Sequence, residues 1–176
     1  MNEKNTFWER AGKAGLVLGG VSILYMAITT LLGSADAGES VALRLVSLLL
    51  WVAKLVGCVL LMRFFMRRFS DAEPEADHSR VFRFGMMAAL LSALLYSAAF
   101  LAYVTFIDPS VFERALAEAA MSNPMLNDSM MAEADKLLPV LPTFTFFFNL
   151  IYCFLFGTIL AAIFANSIAP KNPFAE

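Results

Sequence analysis

The chain has 176 residues, 60% of them hydrophobic, with a mean hydropathy of +0.70 and a formal net charge of −2. That apolar share exceeds what a soluble domain of this length usually carries, and the near-neutral charge excludes an electrostatic nucleic-acid binder. The two cysteines, Cys58 and Cys153, stand singly in apolar runs without CxxC or Cys/His spacing. Neither a zinc site nor a disulfide framework is expected, and no cofactor is called for.

The first 13 residues are polar, with Glu3, Lys4, Glu9, Arg10 and Lys13 around an interfacial pair, Phe7 and Trp8. Residues 14–33 are apolar throughout, long enough for a first span. Ala35-Asp36-Ala37 just beyond resembles a signal-peptidase site, but the apolar run exceeds the ~7–15 residues of a signal core, so it is read as a retained span. Gly15 and Gly19 form a Gly-x-x-x-Gly pair, which lets a second helix backbone approach closely. Packing within the chain's own helices is the favoured role, and a dimer contact the alternative.

A short acidic turn with Asp36 and Glu39 leads to the second span, residues 41–62. Inside it stands Lys54, nine residues or about 13 Å before Arg63. A lysine stem reaches only about 6 Å, so snorkelling is partial. Ser47, Trp51, Gly57 and Cys58 share its helix face. An ammonium in the membrane interior costs at least ~2.5–3.5 kcal/mol and is a functional hypothesis by default. No Asp or Glu occurs in any apolar run, so no counter-ion is evident and an acidic proton relay is absent. Three roles are open to Lys54: structural locking, contact with an anion or lipid phosphate, and proton transfer.

Residues 63–83 read as the first polar connector, and their acidic middle, residues 70–77 around Pro74, as a solvated, mobile linker flanked by Arg67, Arg68, Arg80 and Arg83. His78, the only histidine, lies there without a nucleophilic partner. The third span, residues 84–107, carries no charge and places Gly85, Ala89, Ser92, Tyr96 and Tyr103 along one face. Tyr96 is a candidate hydrogen-bond partner for Lys54. Asp108-Pro109 then reads as the start of a new helix, with Ser110 and Glu113 offering a capping box in the alternative register.

Residues 108–142 form an insert with two predicted short amphipathic helices. One uses Val111, Phe112, Ala115, Leu116 and Ala119; the other uses Met125, Met130, Met131, Ala134, Leu137 and Leu138. The last span, residues 143–168, is rich in Phe and carries Asn149, a second candidate partner for Lys54, beside Tyr152, Cys153 and Gly157. Gly15, Gly19, Gly57, Gly85 and Gly157 are the candidate helix-packing positions. Nine Lys or Arg residues fall on the side of the termini and three on the other. The expected fold class is therefore all-α, an integral membrane four-helix bundle in the cytoplasmic (inner) membrane. Both termini are cytoplasmic, and the insert is extracytoplasmic.

The Phe7-Trp8 pair before a glycine-rich span, the Phe84-Gly85 start, the Phe106-Ile107-Asp108-Pro109 exit, the Met-rich insert and a closing span with Gly157 resemble the bacterial membrane proteins catalogued as domain of unknown function 4199. The resemblance implies four transmembrane helices and supplies no activity, cofactor or catalytic residue. No GxSxG, HExxH or P-loop occurs, and no catalytic constellation is found, so an enzyme is not expected. The leading expectation is a non-enzymatic accessory or scaffolding subunit of a cell-envelope membrane complex. Its partners would be membrane lipids and another membrane protein or a second copy. The alternative is a small transporter, channel or lipid-binding protein that uses Lys54.

Overall fold

The computed structural model describes residues 3–35, 41–73, 76–122, 133 and 135–168. These residues are almost wholly helical: α1 (Glu3–Ala35), α2 (Val41–Ala72), α3 (His78–Ala102), α4 (Val111–Ser122) and α5 (Leu141–Ile168). A π-helical turn, Tyr103–Ile107, prolongs α3. Four stretches are long and apolar enough to cross a membrane: Thr6–Leu32, Leu45–Ala72, His78–Ile107 and Leu141–Ile168. Helix is the expected state for such segments, because lipid offers no partner for backbone N–H and C=O groups and each segment must satisfy its own.

α3 lies between α1 and α5, and these two interfaces are the most extensive, with α2 held more lightly against α1, α5 and α3. Small residues set both main interfaces. A Cβ on Gly15 would sit 2.7 Å from Leu91 Cβ and 3.1 Å from the Ala88 carbonyl oxygen, and one on Gly19 would sit 2.8 Å from Leu95 Cδ2. On the other flank, a Cβ on Gly157 would sit 2.5 Å from Ala89 Cβ, and one on Gly85 would sit 2.8 Å from Ala161 Cβ. These backbones approach closely only because four side chains are missing. Gly57 differs, with nothing within 4 Å of an added Cβ, so open space rather than a neighbouring helix surrounds it.

The tight core gathers at the end where α1 begins and α2 meets α3. Phe69 and Phe84 stack there with centroids 4.3 Å apart, and Phe7 meets both edge-on at 5.7 and 6.0 Å. Ala11, Ala14, Met62, Met66, Ala76, Val81, Ala161 and Ala165 pack around them. Above Leu18 on α1, Met62 on α2 and Gly157 on α5, no side chain of those three helices is fully buried among the described residues. Among the described side chains, only α3 and its π-helical turn keep buried positions at that level, including Ala93, Ser97 and Val104. The helices are thus clamped at one end and looser toward the other.

That clamp corrects the reading of residues 63–83 as one polar connector between spans. α2 continues to Ala72 and α3 starts at His78, so only five residues separate them. Met62, Phe65, Met66 and Phe69 keep one apolar face at helical spacing through the charged stretch, while Arg63, Arg67 and Arg68 point outward. Charge density there did not mark the helix boundary. Asp77, in extended conformation, accepts a hydrogen bond from the His78 N–H at 2.7 Å and begins α3. Glu73 in the turn meets Arg10 at 3.5 Å and Arg80 at 3.0 Å, tying α1 to the α2–α3 junction.

At the exit of α3 the new helix takes the Ser110 register rather than the Asp108-Pro109 one. The Asp108 N–H donates to the Tyr103 carbonyl at 3.0 Å, a bond five residues back, and α4 begins only at Val111. The Asp108 carboxylate takes hydrogen bonds from Ser110 Oγ at 2.8 Å, Tyr103 Oη at 3.3 Å and the Arg114 guanidinium. It clamps the junction from both sides. Of the expected second helix of the insert, residues 125, 130, 131 and 134 lie outside the described residues.

Candidate functional site

Above the clamp, α1, α2, α3 and α5 enclose a half-open cavity of about 180 Å³. Leu18, Met62 and Leu160 close its lower end, where the helices converge. Its walls are largely aromatic and small: Trp51 and Leu55 from α2, Ala89, Ser92 and Tyr96 from α3, and Tyr152, Phe156 and Gly157 from α5. Cys58 and Cys153 face it from α2 and α5, and Ser22 from α1. The space exists because α3, α1 and α5 are drawn together by their glycines while α2, with Gly57 unopposed, is not.

Lys54 projects into this cavity. Its Nζ lies 4.8 Å from the ring centroid of Tyr25 and 5.0 Å from that of Tyr96. Both are cation–π distances, worth about 0.5–2 kcal/mol each depending on desolvation. Among the described residues no carboxylate pairs with Lys54. An insertion cost of at least ~2.5–3.5 kcal/mol is therefore roughly offset by two ring faces, without the charge being neutralised.

The structure brings Lys54 and Tyr96 together, but through the face of the ring rather than a hydrogen bond to its hydroxyl. It does not bring Asn149 into the cavity, whose α5 wall begins at Tyr152. Asn149 sits one turn above Cys153 on a partly covered face. Tyr25 was missed by the sequence reading. The available signal was the Gly15, Gly19 and Ser22 face of α1, which Tyr25 continues three residues on.

A second cavity, of about 690 Å³, lies at the clamped end between the start of α1 and the first turns of α3, lined in part by Trp8, Arg80 and Arg83. His78 is exposed at the start of α3. Among the described residues no three His, Cys, Asp or Glu side chains converge as metal ligands would.

No curated protein and no solved structure matches the chain. A family model described as Protein of unknown function (DUF4199) matches residues 13–166, which include Tyr25, Lys54, Tyr96 and Tyr152. With four membrane-capable helices and a match over most of its length, the chain belongs to that family of proteins of unknown function.

Proposed function

We propose that the protein is a non-enzymatic bundle of four spans that binds the anionic group of a membrane-borne amphiphile at Lys54. The observation that carries this reading is a single cation, without a carboxylate partner among the described residues, inside an aromatic-walled cavity. Pockets for complete drug-sized ligands run to roughly 300–1,000 Å³. At about 180 Å³ this one takes a head group and leaves an apolar tail to the surrounding lipid. Lys54 stands ten residues from Arg44 and nine from Arg63, about 13–15 Å from each of the two charges that bound its apolar run. Transporters characteristically place their substrate sites at that midplane depth. Small-molecule transport or lipid handling therefore takes precedence over the accessory-subunit reading that leads from sequence alone.

The membrane is the bacterial cytoplasmic membrane, with both termini inside. The excess of nine basic residues over three supports this orientation. So does the cluster of Arg10, Glu73 and Arg80, which sets the start of α1 and the α2–α3 turn at one end. α4 lies along the outer surface. Its Val111, Phe112 and Leu116 are partly covered, while Glu113, Arg114 and Glu118 are exposed.

An accessory role retains one supporting observation. The first half of α2 exposes Leu45, Leu48, Leu49 and Val52, a broad apolar strip on the least embedded helix. A stoichiometric protein found cross-linked to that strip in native membranes would favour it.

The test is extraction into lipid nanodiscs directly from the native membrane, followed by mass spectrometry of bound small molecules. The wild-type chain is expected to retain about one more anionic amphiphile per chain than Lys54→Met. The same anionic complement from both would overturn the proposal.

A further inference from the structure

The cavity of about 690 Å³ at the clamped end is a second site, separate from Lys54 and lined by residues the first does not use. Phe7 and Trp8 wall it from the first turns of α1; Asp77, Ser79, Arg80, Arg83, Met86 and Met87 wall it from α3. These residues are sorted by depth. Ser79, Arg80 and Arg83 belong to the first two turns of a helix whose apolar run begins at Phe84, and Met86 and Met87 lie within that run. The mouth is therefore basic and hydroxylic, and the floor is apolar and flexible. Trp8, 55% exposed, stands at the boundary where an indole prefers to sit.

The charges at the mouth are only partly spent. Arg80 gives its Nε to Glu73 at 3.0 Å, leaving the remaining guanidinium donors for another acceptor. Arg83 is exposed and has no acidic partner among the described residues. The one carboxylate on the wall, Asp77, is engaged by the His78 N–H at the start of α3. Its negative charge offsets the partial positive charge of the α3 N-terminus, so Arg80 and Arg83 supply the positive field at the mouth.

We infer that this cavity holds the phosphate group of an anionic membrane phospholipid at Arg80, Arg83 and Ser79, with an acyl chain along Phe7, Met86 and Met87. A free phosphate would use the same donors, but it has no need of the methionine floor. The lipid does. Planar guanidinium forks match phosphate oxygens two at a time, which favours a phosphate monoanion over a zwitterion whose own ammonium competes. The inference does not rest on the role proposed for Lys54.

The chain's two tryptophans divide between the two cavities, Trp51 in the first and Trp8 in the second. In a Trp51→Phe background, Trp8 reports the second site alone. The chain is placed in nanodiscs containing brominated phosphatidylglycerol or brominated phosphatidylcholine, and Trp8 quenching is compared. Phosphatidylglycerol is expected to quench at about tenfold lower mole fraction, and Arg83→Gln is expected to erase that preference. Arg83 has no acidic partner to lose among the described residues, so the variant is expected to keep the fold, while Arg67→Gln, at the same membrane face but outside the cavity, is expected to leave the preference intact. Equal quenching by both lipids, or equal loss in Arg67→Gln, would overturn the assignment. Relief of quenching by millimolar inorganic phosphate would overturn it in favour of a free anion. Lys54→Met is expected to change none of these readings, so the two sites succeed or fail separately.

Discussion

The rings of Phe69 and Phe84 stack face to face, with centroids 4.3 Å apart and planes 7° from parallel. Phe69 lies near the end of α2 and Phe84 early in α3, so this one contact closes the turn between them while Phe7 brings in α1. Phe69→Ala would remove the shared partner of both rings and leave a void where Met66 and Val81 also pack. A loss of about 2–4 kcal/mol is expected in reversible unfolding in detergent, below the usual range for a soluble core because lipid solvates the exposed ring well. Phe69→Leu is expected to lose less than half as much.

Gly157 and Gly57 make a paired test of the packing account. An added Cβ at Gly157 would lie 2.5 Å from Ala89 Cβ, an atom fixed to the α3 backbone, so α3 and α5 must separate. Gly157→Ala is expected to destabilise by about 1–3 kcal/mol. At Gly57 nothing lies within 4 Å, and Gly57→Ala is expected to be neutral or to stabilise by up to about 1 kcal/mol through helix propensity. Thermal unfolding of the two variants in one detergent checks the contrast.

Much of this was legible in the sequence. Four uncharged or nearly uncharged runs of membrane length announced four helices, and Gly15, Gly19, Gly85 and Gly157 marked close approaches because a missing side chain has few other uses in lipid. The extent of α2 was not legible from charge. Arg63, Arg67 and Arg68 end the apolar run, yet they occupy only one face, and the 62-65-66-69 spacing on the other face carried the helix onward. Asn149 was chosen for its chemistry, but a polar residue's azimuth and height depend on how α5 is rotated and offset against α3. The contact of Gly157 with Ala89 fixes that offset, and no pattern within one helix does. The π-helical turn at Tyr103 escaped for a similar reason. It depends on where Asp108 finds Ser110, Arg114 and Tyr103, which are partners in different turns.

The Asp108 junction carries a pH dependence of definite sign. The Ser110 hydroxyl, then the Arg114 guanidinium and the Tyr103 hydroxyl, hold the Asp108 carboxyl below its ordinary value of 3.8. A depressed folded-state value means that the stabilisation is complete above the ordinary value and is lost as pH falls through the lower one. Amide exchange over residues 103–114 is expected to show constant protection between about pH 7 and pH 5, and opening only in stronger acid. Asp108→Asn is expected to be open already at neutral pH and insensitive to acid.

The Lys54 contacts separate ring from hydroxyl. Nζ sits over the faces of Tyr25 and Tyr96, so Tyr96→Phe keeps the interaction and Tyr96→Leu removes it. Tyr96→Phe is expected to match wild-type stability, and Tyr96→Leu to lose about 0.5–2 kcal/mol beyond the change in packing, as measured by a double-mutant cycle with Lys54→Met. Loss of the coupling in Tyr96→Phe would instead assign the contact to the hydroxyl.

The most direct test of the central claim uses Trp51, which lines the Lys54 cavity. In a Trp8→Phe chain reconstituted in zwitterionic nanodiscs, its emission is followed while dodecyl phosphate or, separately, dodecyltrimethylammonium is added. Lys54 as the counter-charge for an anionic head group requires a saturable change with the phosphate and none with the ammonium. It also requires that Lys54→Met abolish the change while the variant unfolds no earlier than its parent. A response to dodecyl phosphate that survives in Lys54→Met, or an equal response to both amphiphiles, would contradict the account.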